Sequence, residues 1–408
     1  MRAFTPPTFP PCPLTLTSLA GLRASGVRAG IKASGNPDVG LLVADAPMAV
    51  AGLFTKNLFS AAPVRLSRKH LEMSGGKVRA IVVNSGNANA CTGEDGERDA
   101  AAMAARVAEK IGCAAHEVLV ASTGVIGHKL PMAKVLAGID AAAAELASDV
   151  EAGRRFLAAI QTTDAFPKEA GEAVESASLP QGPSALVAGV CKGAGMIEPN
   201  MATMLAFVGT DAEASPEELR AAIPAIARKS FNAVHVDTHT STNDMFVLFA
   251  TGQKKASVAA WQSAAEKVAH RLAWLIARDG EGATKVTTID ITGALSDTHA
   301  EAVAREIARS ALVRTALFGN DPNWGRFVSQ VGNSEHVRDV SLLRCDLQGT
   351  TVFSRGEPTN FDKSELSRRM AVDDVALAID IGEGPGQARI LTSDLGYRYV
   401  EVNAEYTT

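Results

Sequence analysis

Short β-branched runs recur along the chain, and longer stretches of helical periodicity lie between many of them. The runs at 39–45 (VGLLVAD), 79–84 (RAIVVN), 117–122 (EVLVAS), 184–190 (SALVAGV), 204–210 (MLAFVGT), 245–252 (MFVLFATG) and 285–293 (KVTTIDITG) are bounded by Gly, Asn or Asp and read as strands. The segments 339–347, 375–381 and 397–404 read the same way. Between them, 96–112, 215–230, 257–280 and 298–319 read as helices. Ser215 before Pro216 and Glu217 is a start signal, and Gly112 and Gly280 are stop signals. The polar stretch 168–184, with Gly171, Pro180 and Pro183, reads as a loop. Strands mixed with helices restrict the fold to α/β or α+β layers. A chain of 408 residues exceeds one typical core, and its character changes near 285. Two domains are expected: 1–284, and a smaller α+β domain over 285–408.

Charge narrows the partners. Lys and Arg number 40 against 45 Asp and Glu, a net −5, which argues against a nucleic acid or an anionic membrane surface and leaves small molecules. The Ala-rich stretches are interrupted by charges, so none reads as a membrane span. Five scattered cysteines without C-x-x-C indicate a reduced, cytoplasmic protein with neither disulfide framework nor structural zinc. Prolines break up the first 13 residues where a signal peptide would be continuously apolar.

Common catalytic motifs are missing: there is no Walker loop, H-E-x-x-H or G-x-S-x-G. His235 and His239 are four apart, a metal spacing on a helix. Their β-branched, loop-like surroundings make them polar loop histidines, and no metal is expected. The turns VVNSGNANACTG (82–93) and VASTGVIG (120–127) follow strands and expose backbone N–H groups suited to an anion or a developing oxyanion. In GMIEPNMATMLAF (195–207), Thr203 follows the small Ala202. A threonine hydroxyl needs a base to act as a nucleophile. A cut before Thr203 would give it a free α-amine, whose unperturbed pKa of about 7.7–8.0 suits that task. From the residues alone, packing in a strand and chemistry both remain open for Thr203.

The segment KGAGMIEPNMATMLAF (192–207) resembles the processing segment of the ornithine acetyltransferase (glutamate N-acetyltransferase) family. The blocks 83–93, 121–127, 162–168 (TTDAFPK), 241–246 (STNDMF), 279–285 (DGEGATK), 318–326 (FGNDPNWGR) and 402–408 (VNAEYTT) match in order, so the resemblance covers nearly the whole chain. It implies a layered α-β-β-α core like that of self-cleaving aminopeptidases. It also implies autoproteolysis between Ala202 and Thr203, with Thr203 as the nucleophile. Acetyl would pass from N2-acetylornithine to Thr203 and on to glutamate in a ping-pong cycle of arginine biosynthesis. Thr123 and Gly124 would form the oxyanion hole. Thr162 or Thr163, Lys192, Thr203, Glu281, Asn403 and Thr408 would line the substrate pocket, the last two requiring the C-terminal tail to fold back. No cofactor is implied, and acetyl-CoA is a co-substrate of some members. Two copies of each piece would assemble. Ala165, Glu198 and His239 depart from the family pattern. The competing readings are a self-cleaving aminopeptidase or amidase, and an amino-acid-binding protein without catalysis.

Overall fold

The computed structural model describes residues 9–175, 184–198 and 204–405, and their strands form two sheets. The first sheet begins with β1 (Leu22–Val27), β2 (Val39–Phe54), β3 (Lys77–Asn87), β4 (Val118–Val125), β5 (Lys168–Val174), β6 (Ala185–Lys192) and β7 (Leu205–Ala212). β8 (Val234–His235) then departs to the second sheet, and β9 (Met245–Lys254) returns to the first. The order is β4-β3-β2-β9-β7-β6-β5, with β1 also paired to β2.

The sixteen-residue β2 joins two halves of that sheet. Val39–Val43 pair with β3, Ala49–Phe54 pair with β9, and the register shifts between Val43 and Met48. On one outer face, α1 (Ala62–Met73) runs beside β4, where Ser67 accepts the Val120 N–H and donates to its carbonyl, both at 2.7 Å. There α2 (Gly93–Ile111) and α3 (Met132–Ala144) bury Met103, Val107, Val135 and Ile139 with Val82 and Val120. The inner faces share one core: Leu42, Ile81 and Leu119 belong with Val190, Phe207 and Val247, joined by Phe156 of α4 (Val150–Ile160). On the other outer face, α5 (Pro216–Lys229) and α6 (Val258–Arg278) bury Ile223, Trp261, Val268 and Leu272 with Val208 and Leu248. The result is a layered α-β-β-α core. Its helix starts follow local chemistry: Ser215 accepts the Glu218 N–H while the Glu218 carboxylate accepts the Ser215 N–H, with Pro216 at the first position.

The second sheet contains β10 (Val286–Ala294), β11 (Arg344–Leu347), β12 (Thr350–Ser354), β13 (Glu357–Pro358), β14 (Asp374–Asp380) and β15 (Gly386–Ser393). Its order is β13-β12-β11-β14-β10-β15-β8, so β8, from between α5 and β9, forms one edge. Its core joins Ile289, Ile291 and Leu377 to Val303 of α7 (Asp297–Arg309), Leu317 of α8 (Ala311–Phe318), Phe327 of α9 (Trp324–Gly332) and Leu366 of α10 (Lys363–Arg369).

Three expectations need correction. The start of 168–184, expected as a loop, is β5, antiparallel to β6, and its first residue, Lys168, is fully buried between two carboxylates. The segment 397–404 is not a strand but the helix α11 (Tyr397–Glu405). Among the described residues no strand pairs with it, and a helix satisfies its backbone internally. The stretch 298–319 is two helices, divided at Ser310, whose hydroxyl caps α8 by accepting the Val313 N–H.

Candidate active site

A cavity of about 240 Å³ opens where the ends of β4 and β6 meet the loop before β9, the turn after α6, and α11. Thr123 and Gly124 form one wall, Thr162 and Thr163 another, and Lys192, Glu281 and Asn403 line it as well. The seven expected residues within the described regions therefore converge on one site. Ala202, Thr203 and Thr408 lie outside the described residues.

The β4 wall requires glycine. Gly124 has φ +133°, and a Cβ there would lie 2.3 Å from the Gly86 carbonyl carbon. The Asn243 side-chain amide donates to the carbonyls of Ala88 and Ser122, at 2.6 and 2.8 Å, and so fixes the two strand ends against the loop. Lys192 is buried at the end of β6 and donates to Thr123 Oγ1 at 3.1 Å. Burial lowers its pKa, and Asp164 is the strongest opposing influence. Across the cavity, burial raises the Glu281 carboxyl above its ordinary value, while hydrogen bonds from Asn403 and Thr163 favour the charged form. Gly195 makes room for Glu281, because a Cβ there would lie 2.6 Å from the Glu281 carboxyl carbon. Both threonines face the cavity, but they differ: Thr163 bonds Glu281, whereas the Thr162 N–H donates to Asp164 at 2.8 Å.

Several lining residues escaped the sequence reading. Asp237 accepts the N–H groups of Met196 and Ile197 at 2.6 and 2.8 Å, holding Met196 at φ +58°. Tyr399, one helical turn before the expected Asn403 on α11, lines the cavity with it. The strand-like alternation of 397–404 concealed that spacing. The two histidines separate: His235, in β8, bonds buried Glu198 at 2.7 Å, while His239 lines the cavity. Among the described residues no group of three His, Cys, Asp or Glu could hold a metal ion.

Leu205 pairs with Lys192, so the strand that follows residue 203 starts at the cavity wall. Asp244 accepts the Met204 N–H at 3.1 Å. Its carboxyl is pushed well above the usual range by burial. Chemically, the cavity offers an ammonium, a carboxyl and a strand-end turn, a set suited to a small zwitterion carrying a polarised carbonyl.

The ArgJ family model matches residues 23–408. The arginine biosynthesis bifunctional protein ArgJ of Rhodopirellula baltica is 44% identical over 401 residues, covering 95% of this chain and 96% of that protein. The protein of the same name from Deinococcus radiodurans is 43% identical over 389 residues, with 95% and 97% covered. A solved ornithine acetyltransferase complexed with ornithine, from Mycobacterium tuberculosis, is 39% identical, covers 46% of this chain and 95% of that chain, and has a TM-score of 0.42.

Proposed function

The chain belongs to the ArgJ family, and from that premise we propose that it transfers acetyl from N2-acetylornithine to glutamate through an acetyl ester on Thr203. At the coarser level it is an acetyl-transferring enzyme of arginine biosynthesis. The observation that carries the finer reading is the convergence of Lys192, Glu281, Thr123 and Gly124 on one cavity, beside the strand that begins just after residue 203.

In this reading, the chain cuts itself between Ala202 and Thr203, and the new α-amine is the base for the Thr203 hydroxyl. Attack on the acetyl carbonyl gives a tetrahedral oxyanion, which Thr123 and the Gly124 region stabilise. The intermediate collapses, ornithine leaves with a proton on its α-amine, and acetyl remains on the Thr203 oxygen. The glutamate α-amine then attacks the ester, giving N-acetylglutamate and the free hydroxyl. Lys192 receives the α-carboxylate in both half-reactions, and Glu281, with Asn403 and Thr163, receives the side-chain ammonium of ornithine. Thr162 and Thr408 complete the pocket. The reading includes cytoplasmic location, assembly as two copies of each piece, and acetyl-CoA as an additional acetyl donor.

The decisive assay mixes the protein with N2-acetylornithine and labelled glutamate. Labelled N-acetylglutamate is the expected product; acetate released without transfer would identify a hydrolase. Intact mass should give two pieces, 1–202 and 203–408. Thr203→Ala should remain one chain and be inactive, and appreciable turnover by that variant removes Thr203 from the mechanism.

A further inference from the structure

Behind the cavity lies a buried group of charges that no step above uses. Lys168 Nζ sits 2.5 Å from Asp164 Oδ1 and 2.5 Å from Asp279 Oδ2, with no side-chain exposure at Lys168 or Asp164 and only 4% at Asp279. Each carboxylate also grips backbone. Asp164 accepts the Thr162 N–H at 2.8 Å and the Gly193 N–H at 2.9 Å, and Asp279 accepts the Ala165 N–H at 3.0 Å. Those three backbone sites belong to two pocket segments: the turn carrying Thr162 and Thr163, and the strand end just past Lys192. The third segment is Asp279 itself, two residues before Glu281, whose own N–H donates to the Ala194 carbonyl at 3.0 Å.

We infer that Asp164, Lys168 and Asp279 are positioning residues that set the separation of Lys192 and Glu281, and so select an amino acid of the right length between carboxylate and ammonium. The inference deepens the proposed function and rests on it for the roles of Lys192 and Glu281. A core held only by apolar contacts would tolerate small shifts of these turns. A lysine shared by two carboxylates has one good geometry, because a displaced partner would be left charged and buried. Burial pushes the Asp279 carboxyl up to about 6, against the pull of Lys168. Asp279 is thus ionised at neutral pH and takes up a proton as the pH falls through about 6, which weakens its hold on Lys168. The groups facing it are Lys168 and Asp164, with Cys191 and Lys192 beside them.

The test is binding, not turnover, so it is read separately from the acetyl-transfer assay. Ornithine is titrated calorimetrically into the wild type and into Asp279→Asn between pH 5 and 8. The wild-type Kd should rise about tenfold from pH 7.5 to pH 5, with Glu281, whose carboxyl burial also raises, adding to the Asp279 limb. The variant should bind about tenfold more weakly at pH 7.5 with a flatter profile that keeps only the Glu281 part. An Asp279→Asn protein with wild-type Kd and an unchanged acid limb overturns the inference. Asp279→Glu should restore part of the pH limb. If Asp279→Asn does not fold, Lys168→Arg carries the test: it keeps the charge but alters the geometry. Its Kd should rise while the acid limb persists, and an unchanged Kd overturns the inference.

Discussion

Gly195 and Gly124 both exclude a side chain, but for different reasons. A Cβ at Gly195 meets the end of the flexible Glu281 side chain, whereas one at Gly124 meets the Gly86 backbone at φ +133°. Gly195→Ala should therefore fold and displace the Glu281 carboxylate. The KM for N2-acetylornithine is expected to rise about tenfold, with a smaller change for glutamate, which brings no side-chain ammonium. Steady-state kinetics on both substrates check this, and equal effects on the two would count against Glu281 as the cation site. Gly124→Ala has no such relief and should cost more than about 2 kcal/mol of stability in a thermal melt. At this scale the sequence was partly legible. Lys192 and Glu281 stood out because each lies next to glycine in a block that resembles the family, and their charges suit a carboxylate and an ammonium. Lys168 and Asp279 did not, because a charged residue in a polar stretch reads as solvated until its partner, 111 positions away, is known.

Among the elements, β8 does the most with the fewest residues. It leaves the chain of the first sheet and pairs with β15 of the second through Val234 and His235. The buried His235 ring bonds Glu198, and Arg309 of α7 donates to the same carboxylate at 3.0 Å. Burial alone would raise the Glu198 carboxyl, but His235 and Arg309 outweigh it and hold the group below its ordinary value. The sign follows: its contribution to stability is full above about 4.5, the unfolded value, and is lost as the pH falls through the lower folded value. Glu198→Gln should lower stability by about 3 kcal/mol at neutral pH, and the gap in Tm from the wild type should close in acid. Melts at pH 7.5 and at about pH 2, below the depressed folded value, measure it; a gap that stays constant down to that acid limit would show that the charge of Glu198 contributes nothing. Glu198 stood out in the sequence only as a departure from a pattern, since its partners lie 37 and 111 residues away. The helix α11 was misread for a related reason. Alternating Tyr, Val and polar residues suit a strand, and only the missing sheet neighbour decides against it.

For the whole molecule, alternation of strands and helices was enough to give the layers, because each element must bury one face. It was not enough to give the register shift in β2 or the strand order, which depend on pairings between distant segments. That order places β9 and β7, which follow residue 203, between β2 and β6, which precede it. The β6–β7 pairing runs from Val187 with Thr210 to Lys192 with Leu205. A cut before residue 203 would therefore leave two chains laced through one sheet, each with strands that the other completes.

That lacing fixes an order of events. The uncut chain can close the sheet in a single-molecule process, whereas two denatured pieces must first collide, with strand edges exposed while they search. Refolding of the uncut Thr203→Ala chain should have a half-time independent of protein concentration. Refolding of the mature pieces should slow on dilution and lose material to aggregation, which stopped-flow fluorescence over a dilution series would reveal. Maturation would then be a step taken once, after assembly, and an enzyme that had completed it could be unfolded far more easily than it could be recovered.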